Sequence, residues 1–427
     1  MKSENRYKAG KIFYGWRIVL VAGIGLFLCY IPVVSFTFGV FSNPLSQEFN
    51  WSRTGVSLAF SLSLIAMCAA MPLVGRLVDR FGARKVIVPS VLILGMCLIS
   101  FYFLSGNLWH FYAVYMIMGV VGGGSSTMPY AGVISHWFDK KRGLAQSLAA
   151  AGAGMGSLAV PPLAHALITT VGWREAYALM GLMVIVVTVP VVGLFLKETP
   201  LMMGLLPDGQ PVEPSGAEKQ NGQEQGMSSG QALHTGNFWL ICVAFFLVAC
   251  SVIGCLVHLV PMLTDRGVSG QSAALAIALL GGASLLGGVA AGYVLDRFFA
   301  SYVAVCFFGG AGLGIFFLWT GGVGGLAFVA AFLVGMGMGA AGQIIPYQVS
   351  RYFGLRAFGE IYSYALVSFS LGGVVGPLVM GVSFDSTGSY RLVLGVFLAA
   401  TLTAAALMIR LGPYLKLEAT AEPTMVQ

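Results

Sequence analysis

The chain is 427 residues long, 57% hydrophobic and only 9% charged, with a formal net charge of +7 and a mean hydropathy of +0.86. Soluble domains carry about 25% charged residues, so this composition excludes an aqueous fold. The positive charge needs no nucleic-acid partner, and the seven cysteines lie inside apolar stretches without the spacing of metal ligands or disulfides, so they read as packing residues.

Twelve apolar stretches follow in chain order: 14–42, 54–75, 85–104, 108–137, 143–170, 174–196, 237–264, 272–295, 301–320, 324–352, 357–384 and 390–412. Each can cross about 30 Å of hydrocarbon, which takes roughly 20 helical residues. Lys, Arg, Asp and Glu fall only at or near their ends. The first stretch is too long for a signal-peptide core and is read as a membrane helix.

Between the second and third stretches runs Gly75-Arg76-Leu77-Val78-Asp79-Arg80-Phe81-Gly82-Ala83-Arg84-Lys85. Gly75 permits close helix approach, Asp79 can accept charged hydrogen bonds or face a helix N-terminus, and Arg80 and Arg84 keep the loop in water. A plain basic anchoring turn is the competing reading. In the fourth stretch Gly122-Gly123-Gly124 precedes Ser125, Ser126 and Thr127, hydroxyls that could line a cavity or bond back to their own helix. It is not a phosphate loop, lacking the Lys and the strand-to-helix setting. Pro129-Tyr130 places a phenol in the same helix. His165 in the fifth stretch sits toward its outer end, where a helix-bonded imidazole is favoured.

From Lys197 to Gly236 the composition turns to Pro, Gly, Gln, Ser and Glu, a flexible polar linker. The resulting division is residues 1–198 as one six-helix half, 199–235 as linker, 236–415 as the second half and 416–427 as a tail. Beyond the linker, His258 lies seven residues before Asp265, about 10 Å along a helix, between Gly254 and Pro261 that suit a broken or kinked seventh helix. An ionisable group at that depth is a functional candidate; a neutral imidazole bonded to a carbonyl is the alternative. Gln343, Tyr347 and Arg351 share one face of the tenth stretch. Gln343 can reach a solute, while Arg351 reads as an end anchor. All 16 acids map to loops, tails or helix ends, Glu360 and Asp385 included, so coupling to protons falls to His258 or to a substrate that carries its own proton.

Nineteen of the 23 Lys and Arg fall on the side of the amino terminus, among them Lys2, Arg6, Lys8, Lys11, Lys219 and Lys416; Arg53, Arg174, Arg266 and Arg391 lie opposite. The positive-inside rule therefore places both termini and the linker in the cytoplasm. The halves also repeat. Gly75, Asp79 and Arg80 return 217 positions later as Gly292, Asp296 and Arg297, Pro129-Tyr130 returns at the same offset as Pro346-Tyr347, and Pro161 and Pro377 are 216 apart. Parallel duplication of a six-helix unit puts a solute site between the halves near the midplane.

The Gly75–Lys85 loop with its echo at Gly292–Arg297 resembles the signature loop of the major facilitator superfamily. Tyr14-Gly15-Trp16-Arg17, Asn50-Trp51-Ser52-Arg53, Trp137-Phe138 leading through Lys140, Lys141, Arg142 and Gly143 to Ala151-Gly152, and Gly204-Leu205-Leu206-Pro207-Asp208-Gly209 resemble its bacterial monocarboxylate porter and oxalate/formate antiporter branch. That resemblance implies an all-α membrane protein of twelve transmembrane helices in two six-helix halves, moving small organic acids by alternating access. The sequence departs from the branch where an arginine of the eighth segment grips a carboxylate: Gly288 stands there, and a second basic position of the first segment falls near Val34 or Ser35.

The expected function is secondary active or facilitative transport of a monocarboxylate-like organic acid, with export or transport of a neutral or amphipathic solute as the alternative and a sensor on the same scaffold as a third reading. His258, Tyr130, Tyr347, Gln343 and Ser35 are the solute-binding candidates. Gly75, Asp79, Arg80, Arg84, Asp296 and Arg297 are the candidates for a cytoplasmic gate. No nucleophile–base pair, metal cluster or phosphate loop supports an enzyme, and no cofactor or metal is expected. The partners are a small solute, a proton and the lipid bilayer of a cell inner membrane, with the protein a monomer.

Overall fold

The computed structural model describes residues 13–51, 53–209 and 226–414, and among them the chain is helical. Lys2, Arg6, Lys8, Lys11, Ser52, Lys219 and Lys416, and the whole 416–427 tail, lie outside the described residues. Twelve membrane helices are present, α1 to α12 in chain order. In the first half α1 comprises Tyr14–Phe27, a π-helical turn Ile31–Ser35 and Phe38–Phe49. Then follow α2 (Arg53–Phe81), α3 (Ala83–Ser100), α4 (Leu108–Ser125 with Thr127–Trp137), α5 (Arg142–Val171) and α6, whose pieces Trp173–Met183 and Val189–Phe195 flank a second π turn. The second half has α7 (Gly236–Asp265), α8 (Gly270–Leu295), α9 (Ala300–Trp319), α10 (Gly325–Tyr352), α11 (Phe358–Thr387) and α12 (Arg391–Arg410).

Eleven continuous stretches among the described residues are long and apolar enough to span a bilayer; the twelfth is α4, cut in two at Ser126. There the backbone is extended (φ −75°, ψ −176°), and the Ser126 hydroxyl donates to the Gly123 carbonyl and accepts from the Met128 N–H. Three glycines before it and Pro129 after it explain the cut: the glycines bring little helix propensity, and a proline lacks the N–H that would bond one turn back. In α1 Pro32 similarly accompanies the π turn. Conversely α7, expected to be broken or kinked near Gly254 and Pro261, is not broken: it is one continuous 30-residue helix with Pro261 inside it. Gly254 serves packing instead, since a Cβ there would press on the Phe397 ring and the Gly376 backbone.

The face bearing Tyr14, the α2–α3 loop and the linker is called the linker face below, its opposite the far face. The linker carries structure at both ends. Trp137 Nε1 donates to the Lys197 carbonyl (2.8 Å), Glu198 accepts from the Arg84 N–H (3.3 Å), and Asp208, in the left-handed region at φ 60°, accepts from the N–H groups of Asp139 and Lys140. On the second half Ser228 and Gln231 form a capping box for a short helix Ser229–Leu233, and the Met227 N–H donates to the Phe353 carbonyl (2.8 Å).

Helices pair by backbone approach through small residues, as expected where lipid leaves packing rather than water exclusion to hold them. The tightest pair is α8 with α10, where a Cβ on Gly339 would overlap the Ser284 carbonyl; its counterpart is α2 with α4, where Gly119 meets the Ser63 carbonyl. Overpacking of this kind costs about 1–3 kcal/mol, whereas alanine for glycine at an open helical position gains up to about 1 kcal/mol. Gly309 of α9 has no neighbour within 4 Å of such a Cβ. Gly339→Ala should therefore lower the Tm of purified protein by several degrees while Gly309→Ala leaves it level or raises it; differential scanning fluorimetry reads both, and equal shifts would contradict this account of the packing.

Candidate functional site

The halves meet on the linker face through two matching locks. Asp79, at the end of α2, accepts hydrogen bonds from the N–H groups of Gly359 (2.8 Å) and Glu360 (2.9 Å) in the first turn of α11. Asp296, just past α8, accepts from Gly143 (2.7 Å) and Leu144 (3.0 Å) in the first turn of α5. Each carboxylate thus satisfies donors a helix N-terminus leaves open and sits at the positive end of its dipole. Glycines let the helices come this close: a Cβ on Gly75 would strike the Gly359 backbone, and one on Gly292 would strike Gly143. Burial pushes the Asp296 carboxyl up from its ordinary range, and the two N–H donors with Arg351 and Arg142 nearby offset part of that.

Around these locks lie ion pairs that sequence reading left unassigned. Arg76 of α2 bonds Glu360 of α11 (2.6 Å), and Glu360, read as a helix-end acid, is 8% exposed. Arg351 of α10 reaches the carboxylate and carbonyl of Asp139 in the α4–α5 loop, both at 2.8 Å, and so ties the halves together rather than anchoring one end. Arg142, buried, donates to the Ser350 hydroxyl (2.9 Å) and the Phe138 carbonyl (3.0 Å). Arg80 lies over Phe81, Arg297 over Tyr293, and Arg84 is exposed; none of the three side chains reaches across the halves in these contacts.

Directly beneath the locks, toward the midplane, is a narrow cleft of about 20 Å³, room for about one water, shared by both halves. Leu26 of α1, Thr127 and Tyr130 of α4, Gln146 of α5, Gln343 and Pro346 of α10 and Tyr362 of α11 line it, with small residues between them, and none of its twelve lining residues is charged. Gln146 and Tyr362 are 216 positions apart, the spacing of Gly143 and Gly359, so the cleft straddles the repeat axis. Tyr362 and Thr127 face each other here from opposite halves. Gln146 donates its amide to the Ser135 hydroxyl (2.9 Å) and, at 3.5 Å, to the Ala131 carbonyl, leaving its Oε1 buried without a partner. The Tyr130 hydroxyl is buried without a partner as well, pressed against Gly25. The hydrogen bonds and ion pairs described between the halves all belong to the linker-face half.

Of the solute-binding candidates the structure brings Tyr130 and Gln343 together in this cleft and leaves the others elsewhere. Tyr347 is 4% exposed and packs under the Arg351 guanidinium, 5.3 Å from its ring, on the lock side of Pro346. Ser35 lies in the α1 π turn near the Tyr30 hydroxyl, which holds Ser63 at 2.6 Å. His258 sits outside the cleft lining, between α7 and the far-face ends of α11 and α12. Its Nε2 meets the Pro377 carbonyl (3.1 Å), so that nitrogen carries the proton, and Nδ1 is 3.4 Å from the Tyr390 hydroxyl. Gly288, where a cation was expected by resemblance, faces Gln343, whose Nε2 is 3.9 Å from a Cβ built there. Gln146 and Tyr362 escaped the sequence reading. The signal was present: Gln146 is a lone amide in the Ala- and Gly-rich run 143–154, and the repeat offset pairs it with Tyr362.

A family model described as Major Facilitator Superfamily matches residues 20–377 and 256–423. The chain is 29% identical over 364 residues to monocarboxylate transporter 11 of Homo sapiens, covering 81% of this chain and 72% of that one. It is 29% identical over 226 residues to the oxalate:formate antiporter of Oxalobacter formigenes, covering 52% of this chain and 50% of the relative. Its fold matches that of the proton:xylose symporter XylE with a TM-score of 0.69 at 16% identity, over 94% of this chain and 96% of the other.

The locks generate a measurable expectation. Asp79→Asn keeps the shape and removes the charge; at this exposed position the loss is about 1 kcal/mol, roughly a fivefold shift toward separated linker-face ends. Spin labels at Lys85 and Arg356 should report a longer, broader distance distribution in Asp79→Asn and a still broader one when Asp296→Asn is added. A distribution unchanged in the double variant would count against the locks.

Proposed function

The chain belongs to the Major Facilitator Superfamily, and from that premise we propose that it carries a small monocarboxylate-like organic acid across a cell inner membrane by rocking its two halves about the cleft. The multi-pass transporter itself follows from the family; the solute class is our reading. The observation that carries it is the position of the cleft. It lies between the halves, lined from α1, α4, α5, α10 and α11, beneath the two carboxylate–helix locks of the linker face. A solute entering from the far face meets Tyr130, Gln146 and Gln343 at the floor, and breaking the locks opens the floor to the linker side.

The linker face is the cytoplasmic one by its surplus of Lys and Arg, with both termini on that side, and the carrier works as a monomer. The named relatives among monocarboxylate and oxalate:formate carriers support an organic acid. The uncharged lining, with Gly288 beside Gln343, supports a neutral solute as the second reading. His258, held by Pro377 and Tyr390, ties α7 to α11 and α12 in this reading, and the proton belongs elsewhere.

Uptake into proteoliposomes tests the reading. Radiolabelled formate, lactate or benzoate should accumulate or exchange faster than in protein-free vesicles, and Gln343→Ala or Tyr130→Phe should slow that flux several-fold. Absence of flux for all three acids would remove the organic-acid reading. His258→Ala should retain its flux and pH profile while lowering Tm; loss of the pH profile would instead return His258 to the coupling path.

A further inference from the structure

The duplication extends to the far face, where one half is latched and the other is not. Pro44, Glu48 and Asn50 at the end of α1 recur 217 positions later as Pro261, Asp265 and Gly267 at the end of α7. Asn50 and Gly267 both sit in the left-handed region, at φ 52° and 82°. Trp173-Arg174 at the start of α6 recur at the same offset as Tyr390-Arg391 at the start of α12. In the first half these residues close on one another. Glu48 accepts from Trp173 Nε1 and Arg174 Nη1, both at 2.5 Å, Arg174 Nη2 reaches the Leu104 carbonyl (3.3 Å), and the Trp173 and Phe49 rings pack under the guanidinium.

The second half has the same parts without the latch. Asp265 is one methylene shorter than Glu48, Tyr390 turns its hydroxyl to His258 (3.4 Å), and Arg266 stands at the position of Phe49. Among the described residues neither the Asp265 carboxylate nor the Arg266 and Arg391 guanidiniums take part in an ion pair, and Arg391 lies 5.9 Å from the Trp319 ring. Where the latch would close there is a cavity of about 410 Å³, with Asp265, Arg266, Trp319, Phe384, Tyr390 and Arg391 on its walls. It shares no lining residue with the cleft between the halves.

We infer that this cavity is a second binding site, which takes an organic carboxylate with an aromatic or apolar body and sets the carboxylate on Arg391 as Glu48 is set on Arg174. The site lies outside the cleft and does not rest on the solute reading above. A guanidinium has donors and no acceptor, and its strongest partner is a carboxylate. Arg266 and Arg391 supply two positive charges, against Asp265 on the wall and Asp385 acting on Tyr390 from α11. Arg266 is the less satisfied: its Nη1 is out of water with no partner among the described residues, and burial holds its pKa below the ordinary arginine range. A ligand anion would act on Arg266 through space, while the contact itself falls to the exposed Arg391. The stacked Phe384 and Tyr390 rings (4.5 Å) and Trp319 offer a flat body an aromatic wall. The volume is that of a small-molecule site rather than of a bare ion.

Isothermal titration calorimetry of purified full-length protein with benzoate at pH 7 tests the site, with benzamide as the uncharged match and Gln343→Ala to silence the cleft. We expect a benzoate component that survives Gln343→Ala, that Arg391→Gln weakens at least tenfold, and that benzamide lacks. Asp265→Glu is the sharper variant. Its added methylene restores the Glu48 geometry, brings the protein's own carboxylate to Arg391, and should weaken benzoate several-fold at equal or higher Tm. Both positions are exposed, so neither variant should disturb folding. The titration is repeated in nanodiscs of phosphatidylcholine alone and with added phosphatidylglycerol. Equal benzoate binding in both supports a free organic acid as the ligand; its loss only with the anionic lipid assigns Arg391 to a lipid phosphate and overturns the inference. Native affinity in either variant, benzamide binding as well as benzoate, or no component surviving Gln343→Ala overturns it too, and none of these results bears on the flux expected of the cleft.

Discussion

Hydrocarbon offers an ion no partner, and this molecule is arranged around that fact. Its charges are confined to the two faces, where they meet water, or to short reciprocal contacts such as Arg76 with Glu360 and Arg351 with Asp139. Because ions must stay at the rims, strong polar bonding between the halves is possible only there. The closing contacts therefore gather on one face, and the middle of the protein is left to hydroxyls, amides and glycines. A gate made of charge and a cleft free of charge are two results of the same restriction.

Duplication turns that restriction into a mechanism. Asp79 on the first turn of α11 and Asp296 on the first turn of α5 are one contact made twice, at equivalent places on opposite sides of the axis between the halves. Each bond is modest, with Asp79 exposed to water and Asp296 half-buried, so the pair can break and re-form without a large barrier. Direct backbone contact at Gly75 and Gly292 makes the closed geometry sharply defined, since no side chain cushions the approach.

Span number, the repeat and the composition of the Gly75–Lys85 loop were legible in the chain, because they depend on hydropathy runs and on spacing alone. The role of Asp79 was legible in kind, as a carboxylate suited to a helix N-terminus, but not its partner 280 residues away. The cleft was half legible. Tyr130 and Gln343 stood out as polar residues in apolar runs, whereas Gln146 was hidden in a helix too rich in Ala and Gly to attract notice, and Tyr347 and His258 carried equally polar groups that packing directed elsewhere. Which way a side chain faces in a helix buried on all sides is not encoded in periodicity, because such a helix has little amphipathic contrast. A break at Gly254 and Pro261 is absent for a related reason: the neighbouring helices need the small residue at 254 for contact, and α7 runs on through Pro261.

The cut at Ser126 has no counterpart at the matching residue of the second half, Gln343, where α10 continues through Pro346 without interruption. Two units that share an ancestry in sequence therefore differ as mechanical parts. One contains a pivot midway through a wall of the cleft, so its lower segment, Thr127–Trp137, can tilt while Leu108–Ser125 stays seated against α2. The other has only an unbroken strut at that place. Motion that begins as a symmetric swing would thus be taken up unequally, by flexure on the Tyr130 side and by whole-rod displacement on the Gln343 side.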